Sequence, residues 1–250
     1  MKIAVAGGTG QAGTATAAAA RARGHEVVVL ARSAGIDLVT GTGAAAALEG
    51  VEALIDASGV QRKDDPTAFH EAVTRSLVTH GRAARVQHLV VLSIVGCDRV
   101  PAFALYAGKV AQERATAEGG IPYTIARATQ FHEFARQVWG FARVGPLHIA
   151  PRGRVQPVAV REVGERLVDL AEAPPAEGRA PDLAGPREES LADMVRSYAK
   201  AAREPGITVR ASIPGALGRA QRDGSLLPGP DAVLGTQTFS EWIAELHRRP

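Results

Sequence analysis

The sequence predicts an α/β protein, a doubly wound parallel sheet followed by a smaller C-terminal subdomain, on three observations. Short, almost wholly apolar strand runs alternate with helix-forming segments through the first 130 residues. Strands apolar on both faces belong in parallel sheets with helices packed on each side. A glycine-rich turn joins the first strand run to the first helix, and after residue 130 the alternation loosens. The chain has 250 residues, 46% hydrophobic and 22% charged, which suits a globular protein with a large core.

The elements follow in order. Ile3-Ala4-Val5-Ala6 is a buried strand ended by glycine, and the alanine-rich stretch from Thr14 to Arg23 is a helix stopped by Gly24. Glu26 to Leu30 is β-branched and reads as the second strand, Ile36 to Val39 as a third, and Ala53 to Asp56 as a fourth, with a short helix from Ala44 to Glu49 before it. Asp65-Pro66 has the form of an N-cap followed by proline at the first helical position. Phe69, Val73, Leu77 and His80 then recur at helical spacing up to Gly81. His88 to Leu92 is a fifth strand, Ala102 to Glu118 a helix, and Tyr123 to Ala126 a sixth strand. Beyond residue 130, Phe131–Phe141 and Arg161–Glu172 read as helices, and residues 173–186 hold at most a short strand. Ser190-Leu191-Ala192-Asp193 and Thr238-Phe239-Ser240-Glu241 have the spacing of helix-starting capping boxes. Asp193 and Glu241 are therefore read as caps rather than as acid–base groups. The expected division is 1–130 and 131–250.

Charge excludes some functions. Lys and Arg total 29 against 26 Asp and Glu, a net +3. Four lysines, Lys2, Lys63, Lys109 and Lys200, stand among many scattered arginines, with pairs such as Arg152/Arg154 but no basic run, and aromatics are 4%. A nucleic-acid groove concentrates positive charge beside stacking rings, so no nucleic-acid partner is expected. The apolar run Leu89–Val95 is far below the ~20 residues of a membrane span, so no membrane role is expected either. Cys97 is the one cysteine, which rules out an intrachain disulfide or a paired-cysteine metal site; no metal is expected, and a reducing, cytoplasmic setting is. The apolar stretch of the first six residues is too short for the core of a secretion signal.

The chemistry starts in the turn Gly7-Gly8-Thr9-Gly10-Gln11-Ala12-Gly13, whose anchors Gly7, Gly10 and Gly13 have the spacing G-x-x-G-x-x-G. Glycine permits a tight turn and lets backbone approach a pyrophosphate closely. The helix that follows aims free N–H groups and the positive end of its dipole at that anion. A strand before the loop, a helix after it and a second strand beyond give the motif its confirming context, a Rossmann-type dinucleotide site. The end of the second strand then selects the nucleotide. An NAD site places a carboxylate there for the ribose 2′-hydroxyl. This chain has Arg32 and Ser33, an arginine fork and a hydroxyl suited to a 2′-phosphate, so NADP(H) is the expected cofactor.

With Gly7–Gly13, Leu89-Val90-Val91-Leu92-Ser93-Ile94-Val95-Gly96, Lys109 with Glu113, and Pro122 to Phe131, the chain resembles the atypical short-chain dehydrogenases/reductases of the NmrA-like branch. The resemblance runs from Ile3 to the helix beginning Thr238–Trp242. It implies that Ala57-Ser58-Gly59 pass near the cofactor, that Ala128, Thr129 and Phe131 cradle the nicotinamide, and that residues beyond 130 form the substrate side. The family often has an acidic residue after the third strand for adenine. Thr42 stands there, so looser or backbone-borne adenine recognition is expected.

Standard members carry tyrosine four residues before lysine on one helix, and a serine at the end of the fifth strand. Here Lys109 is preceded at that spacing by Leu105, with Tyr106 three residues before it. Residues three apart share a helix face, so Tyr106 is the candidate proton donor, Lys109 the candidate ribose contact and Ser93 the candidate substrate or cofactor contact. His132 is an alternative proton source or a polar residue of a first helical turn. Phe131, Phe134 and Trp139 are expected to pack, and Cys97 to be inert. The implied activity is an NADP(H)-dependent oxidoreductase acting on a small, apolar carbonyl or quinone, in a monomer or homodimer. The alternatives are a non-catalytic NADP(H) sensor and a cofactor-assisted epimerase or cyclase.

Overall fold

The computed structural model describes residues 1–61, 63–141 and 143–248. The first elements are β1 (Lys2–Ala6), α1 (Gln11–Ala22), β2 (Glu26–Leu30), α2 (Ala44–Ala47), β3 (Ala53–Asp56), α3 (Pro66–Ala83), β4 (His88–Ile94), α4 (Ala104–Ala117) and β5 (Tyr123–Ala128). There follow α5 (Phe134–Phe141), β6 (Arg143–Val144), β7 (Leu147–Pro151), β8 (Arg154–Val155), α6 (Val160–Glu172), β9 (Gly178–Arg179), β10 (Leu183–Ala184) and β11 (Glu189–Ser190). The last are α7 (Leu191–Ala201), β12 (Ile207–Ala211), α8 (Gly215–Asp223), β13 (Val233–Leu234) and α9 (Phe239–Arg248). No helix among the described residues is long and apolar enough to cross a membrane.

The chain divides into two compact units, Met1–Arg127 with Val160–Pro181, and Ala128–Ala159 with Asp182–Pro250, of which residues 249–250 lie outside the description. In the first unit the strands run β5-β4-β3-β1-β2, with β9 added beside β5. β1 pairs in parallel with β2 on one side, Val5 opposite Val29, and with β3 on the other, Val5 opposite Ile55. The chain thus reverses its direction of travel across the sheet next to β1, and ligands of such sheets bind beyond the carboxyl ends of the strands at that point. Ile3, Ala4, Val5 and Ala6 are fully buried, while the β2 valines at the sheet edge are half-buried. Leu30, Leu48, Leu54, Leu77 and Leu89 form one apolar cluster. α1 packs on α6, where a Cβ on Gly164 would lie 2.5 Å from the Ala15 carbonyl carbon. α3 packs on α4, where Gly108 leaves space for Pro66 in the same way.

The strand expected at Ile36–Val39 is not formed. Ile36 and Leu38 are buried in the core, but the segment makes one isolated bridge, Asp37 with Thr42. Gly35, Gly41 and Gly43 all take positive φ and fold the chain back on itself, which an extended strand cannot do. The expected caps are present. Asp65 accepts from the Ala68 N–H at 2.7 Å ahead of Pro66, and Ser190 caps α7. Thr238 and Glu241 exchange hydrogen bonds at the start of α9, Glu241 N–H to Thr238 Oγ1 at 3.2 Å and Thr238 N–H to Glu241 Oε2 at 2.8 Å.

In the second unit Trp139, Val155, Leu191, Met194, Tyr198 and Phe239 share a core. Around it lie a three-stranded sheet, β12-β7-β6, and the antiparallel pair β11–β8. β10 pairs with β13, and its Leu183 stands opposite Ala128.

Candidate functional site

The glycine loop is fixed by close approaches on three sides. Gly7 has φ +69°, its N–H donates to the Leu30 carbonyl at 3.2 Å, and its own carbonyl accepts from Gly10 N–H at 2.9 Å. A Cβ on Gly7 would sit 2.7 Å from the Ser58 Cα, and one on Gly13 would sit 2.1 Å from the Gly7 oxygen. Gly10 differs: an added Cβ would meet only the Gly7 oxygen, at 3.3 Å. Thr9, Gly10 and Gln11 are exposed, while Ala12 and Gly13 are buried in the first turn of α1. Gly10 is the N-cap of α1, no side chain caps the helix, and its first turn has no acidic residue. Backbone donors are thereby left at an open, positive helix end, an arrangement that fits a pyrophosphate.

The strand ends complete this face. Arg32 and Ser33 begin a single 3₁₀ turn after β2, and both are exposed. Arg32 has no acidic partner among the described residues. Thr42 is exposed in the glycine turn, its hydroxyl 2.9 Å from that of Thr40. After β3, Ala57 is half-buried, Gly59 is exposed with nothing within 4 Å of an added Cβ, and Ser58 is buried with its Oγ lacking a hydrogen-bond partner among the described residues.

Beneath the loop lies a polar chain. Asp56, fully buried at the end of β3, accepts from Ser58 N–H at 2.9 Å and from Gln112 Nε2 at 2.7 Å. Gln112 Oε1 in turn accepts from Lys109 Nζ at 2.8 Å, and Lys109 also donates to the Leu92 carbonyl at 2.9 Å. Burial pushes the Lys109 ammonium below its ordinary pKa, with the charge of Asp56 opposing. His70 on α3 is fully buried, and neither ring nitrogen has a hydrogen-bond partner among the described residues. Burial, together with the Lys109 charge, lowers its pKa to about 3. Tyr106 is buried on α4, its ring edge-on to Phe103 at 5.0 Å.

A second cluster lies along β4, α4 and β5. Glu113 accepts from Ser93 Oγ at 2.5 Å and from Arg127 through both carboxylate oxygens, while Arg127 Nη1 reaches Asp98 at 3.0 Å. Ser93, 2% exposed, therefore spends its proton on Glu113. Cys97 is buried, and burial followed by the Glu113 charge pushes its thiol up, which keeps it protonated and unreactive.

In the second unit Ala128 and Thr129 are buried and Phe131 is half-buried. Thr129 is held at both ends, N–H to the Leu183 carbonyl at 2.9 Å and Oγ1 to the Gln156 carbonyl at 2.5 Å. His132 is fully buried, with Nε2 3.2 Å from the Gln237 carbonyl and the rings of Phe239 and Trp242 at 5.7 and 5.9 Å, a packing environment. Trp139 stacks on His148, and Phe134 packs against the same core.

Sequence reasoning did not find the roles of Asp56, Gln112, Arg127 and His70. One signal was available: Lys109, Gln112, Glu113 and Thr116 fall on adjoining positions of one helix face, and a polar face inside a buried helix needs polar partners.

No protein-family model matches the chain, and no curated protein does. Solved structures do. An NADPH-dependent quinone oxidoreductase from Escherichia coli, complexed with NADPH, superposes with a TM-score of 0.73 at 19% identity, covering 98% of this chain and 99% of that one. The triphenylmethane reductase of a Citrobacter species, complexed with NADP(H), gives 0.71 at 17% identity, over 98% and 100%. A short-chain dehydrogenase/reductase superfamily protein from Agrobacterium tumefaciens with bound NAD gives 0.69 at 17% identity, over 99% and 96%. At these identities the likeness is one of fold. The protein is an α/β protein of the Rossmann type, with the mostly parallel sheet that the sequence predicts.

Proposed function

We propose that the protein is an NADP(H)-dependent oxidoreductase acting on a small, apolar carbonyl or quinone. The observation that carries this reading is the glycine loop, open only at Gly10 before an uncapped helix, with the exposed Arg32 at the end of the adjacent strand. The NADPH and NADP(H) complexes of similarly folded reductases support it.

When bound, NADPH supplies the hydride. Gly7, Thr9, Gly10, Gln11, Ala12 and Gly13 hold the pyrophosphate, Arg32 and Ser33 the 2′-phosphate, and Thr42 flanks the adenine. Ala57, Ser58 and Gly59 line the cofactor path, with the unpartnered Ser58 hydroxyl available for a hydrogen bond. Ala128, Thr129 and Phe131 are assigned to the nicotinamide. Lys109 has three N–H donors, two of them engaged by Leu92 and Gln112, and the third is assigned to the ribose. Tyr106, on the same helix, donates the proton to the substrate oxygen. Ser93 gives its proton to Glu113, so its contact with substrate or cofactor is as an acceptor. In this reading residues 1–130 bind the cofactor and residues 131–250 bind the substrate, in a protein of the reducing cytoplasm.

The experiment is steady NADPH consumption against a panel of quinones and aldehydes. Turnover with at least one acceptor, abolished in a variant that does not bind NADPH, supports the reading. NADPH binding without turnover of any acceptor shifts it to the sensor alternative, which Leu105 at the usual tyrosine position favours.

A further inference from the structure

The second unit holds a groove of about 490 Å³ that the reductase reading does not use. That volume falls within the range of small-molecule sites. One wall is the segment Arg152–Arg154, of which Arg154 pairs antiparallel with Ser190 and the Gly153 carbonyl accepts from the Leu191 N–H at 3.0 Å. α8 supplies another wall through two tight glycine contacts. A Cβ on Gly153 would come within 3.2 Å of Gln221, and one on Gly224 within 2.8 Å of the Arg154 guanidinium.

Four guanidinium groups line the groove, and they are not equivalent. Arg154 is neutralised by both oxygens of Glu188, at 2.6 and 2.7 Å, and Arg210 by Asp193. Arg222 donates Nη1 to the Ile213 carbonyl at 3.0 Å and makes no salt bridge among the described residues, although, after the Ser225 hydrogen bonds, its charge also lowers the pKa of the adjacent Asp223. The Arg152 side chain has neither a hydrogen bond nor an ion pair among them. Glu189 also lines the groove, and no salt bridge holds its carboxylate among the described residues. Two guanidinium forks without a salt bridge among the described residues, from a loop and from the last turn of a helix, thus face one space beside the unpaired Glu189.

Arginine forks match the geometry of phosphate oxygens, and a carboxylate beside them accepts from hydroxyl groups. We propose that this groove binds a small phosphate ester bearing hydroxyl groups, its phosphate between Arg152 and Arg222 and a hydroxyl donating to Glu189. A groove of this volume accommodates a small ester rather than a nucleic acid or an anionic lipid surface.

Calorimetric titration of the full chain with inorganic phosphate and with glycerol 3-phosphate tests this, using wild type, Arg152→Ala/Arg222→Ala, Glu189→Gln and Arg32→Ala. The double variant is expected to weaken both probes at least about tenfold with an unchanged melting temperature, because both side chains are exposed. Arg32→Ala is expected to retain both probes while losing NADPH affinity, which separates this groove from the cofactor site. Glycerol 3-phosphate is expected to bind more tightly than phosphate, by a margin that Glu189→Gln reduces. Wild-type affinity in the double variant, loss of both probes in Arg32→Ala alone, or competition by citrate or a heparin oligosaccharide at equal strength would overturn the proposal.

Discussion

Arg127 grips Glu113 with two parallel hydrogen bonds, Nε to Oε1 at 2.8 Å and Nη2 to Oε2 at 2.7 Å. The pair joins β5 to α4 with side chains 6% and 12% exposed. Removing Glu113 takes away both of these bonds and leaves the buried Arg127 guanidinium with Asp98 as its remaining ion pair among the described residues. Glu113→Ala is therefore expected to cost about 3–5 kcal/mol, and Arg127→Met/Glu113→Leu together to recover most of that loss. Urea unfolding of the three chains measures both effects, and a double variant no more stable than Glu113→Ala would contradict the second.

His70 makes stability depend on pH. Its folded pKa of about 3 lies below the ~6.5 of an unfolded chain, so the folded state keeps it neutral. The stability tied to the neutral ring is fully present above about pH 6.5 and is lost as pH falls toward the folded value, at about 1.4 kcal/mol per pH unit. His70→Phe removes both nitrogens and this dependence. Between about pH 7 and 5 the wild type is expected to lose stability relative to His70→Phe, with that slope below about pH 6.5.

Gly10 and Gly13 are expected to fail differently. Gly10→Val adds bulk toward the ligand side, so NADPH binding is lost while melting stays near wild type. Gly13→Val drives its Cβ into the Gly7 carbonyl, so the fold itself is destabilised. Thermal melting beside a NADPH fluorescence titration distinguishes the two. A stable Gly10→Val protein that binds NADPH normally contradicts the phosphate-loop assignment.

Nucleotide preference follows from Arg32. NADPH is expected to bind at least about tenfold more tightly than NADH, roughly 1.4 kcal/mol, and Arg32→Asp to reverse the order. Equal dissociation constants in the wild type would count against the 2′-phosphate contact.

Lys109 and Tyr106 are expected to separate in kinetics. Lys109→Ala leaves the buried Leu92 carbonyl and Gln112 Oε1 without their donor, so it lowers melting temperature, cofactor affinity and kcat together. Tyr106→Phe keeps affinity and lowers kcat by about 10²–10⁴. Full turnover in Tyr106→Phe assigns the proton to water or another group.

The glycine loop and the arginine after β2 were legible because their signals are local: spacing within seven residues, and the residue that follows a strand. The chain Asp56–Gln112–Lys109 was not, since Asp56 and Gln112 are 56 positions apart and only the packing of α4 against the sheet brings them together. His132 was ambiguous for the same reason, because the Gln237 carbonyl that meets it is 105 positions on. At Ile36–Val39 the apolar pattern reported burial correctly but not conformation, since glycines at positive φ decided the path.

The return of α6 to α1, where Gly164 meets Ala15, bears on the order of synthesis. The first 127 residues emerge from the ribosome without the helix that covers α1 and without the strand that extends β5. Those pieces are complete only at Arg179. At ~5–20 residues per second the wait is several seconds. Through that interval the nascent chain carries an uncovered apolar helix face, and a translational pause after β5 would prolong its exposure to chaperones and proteases.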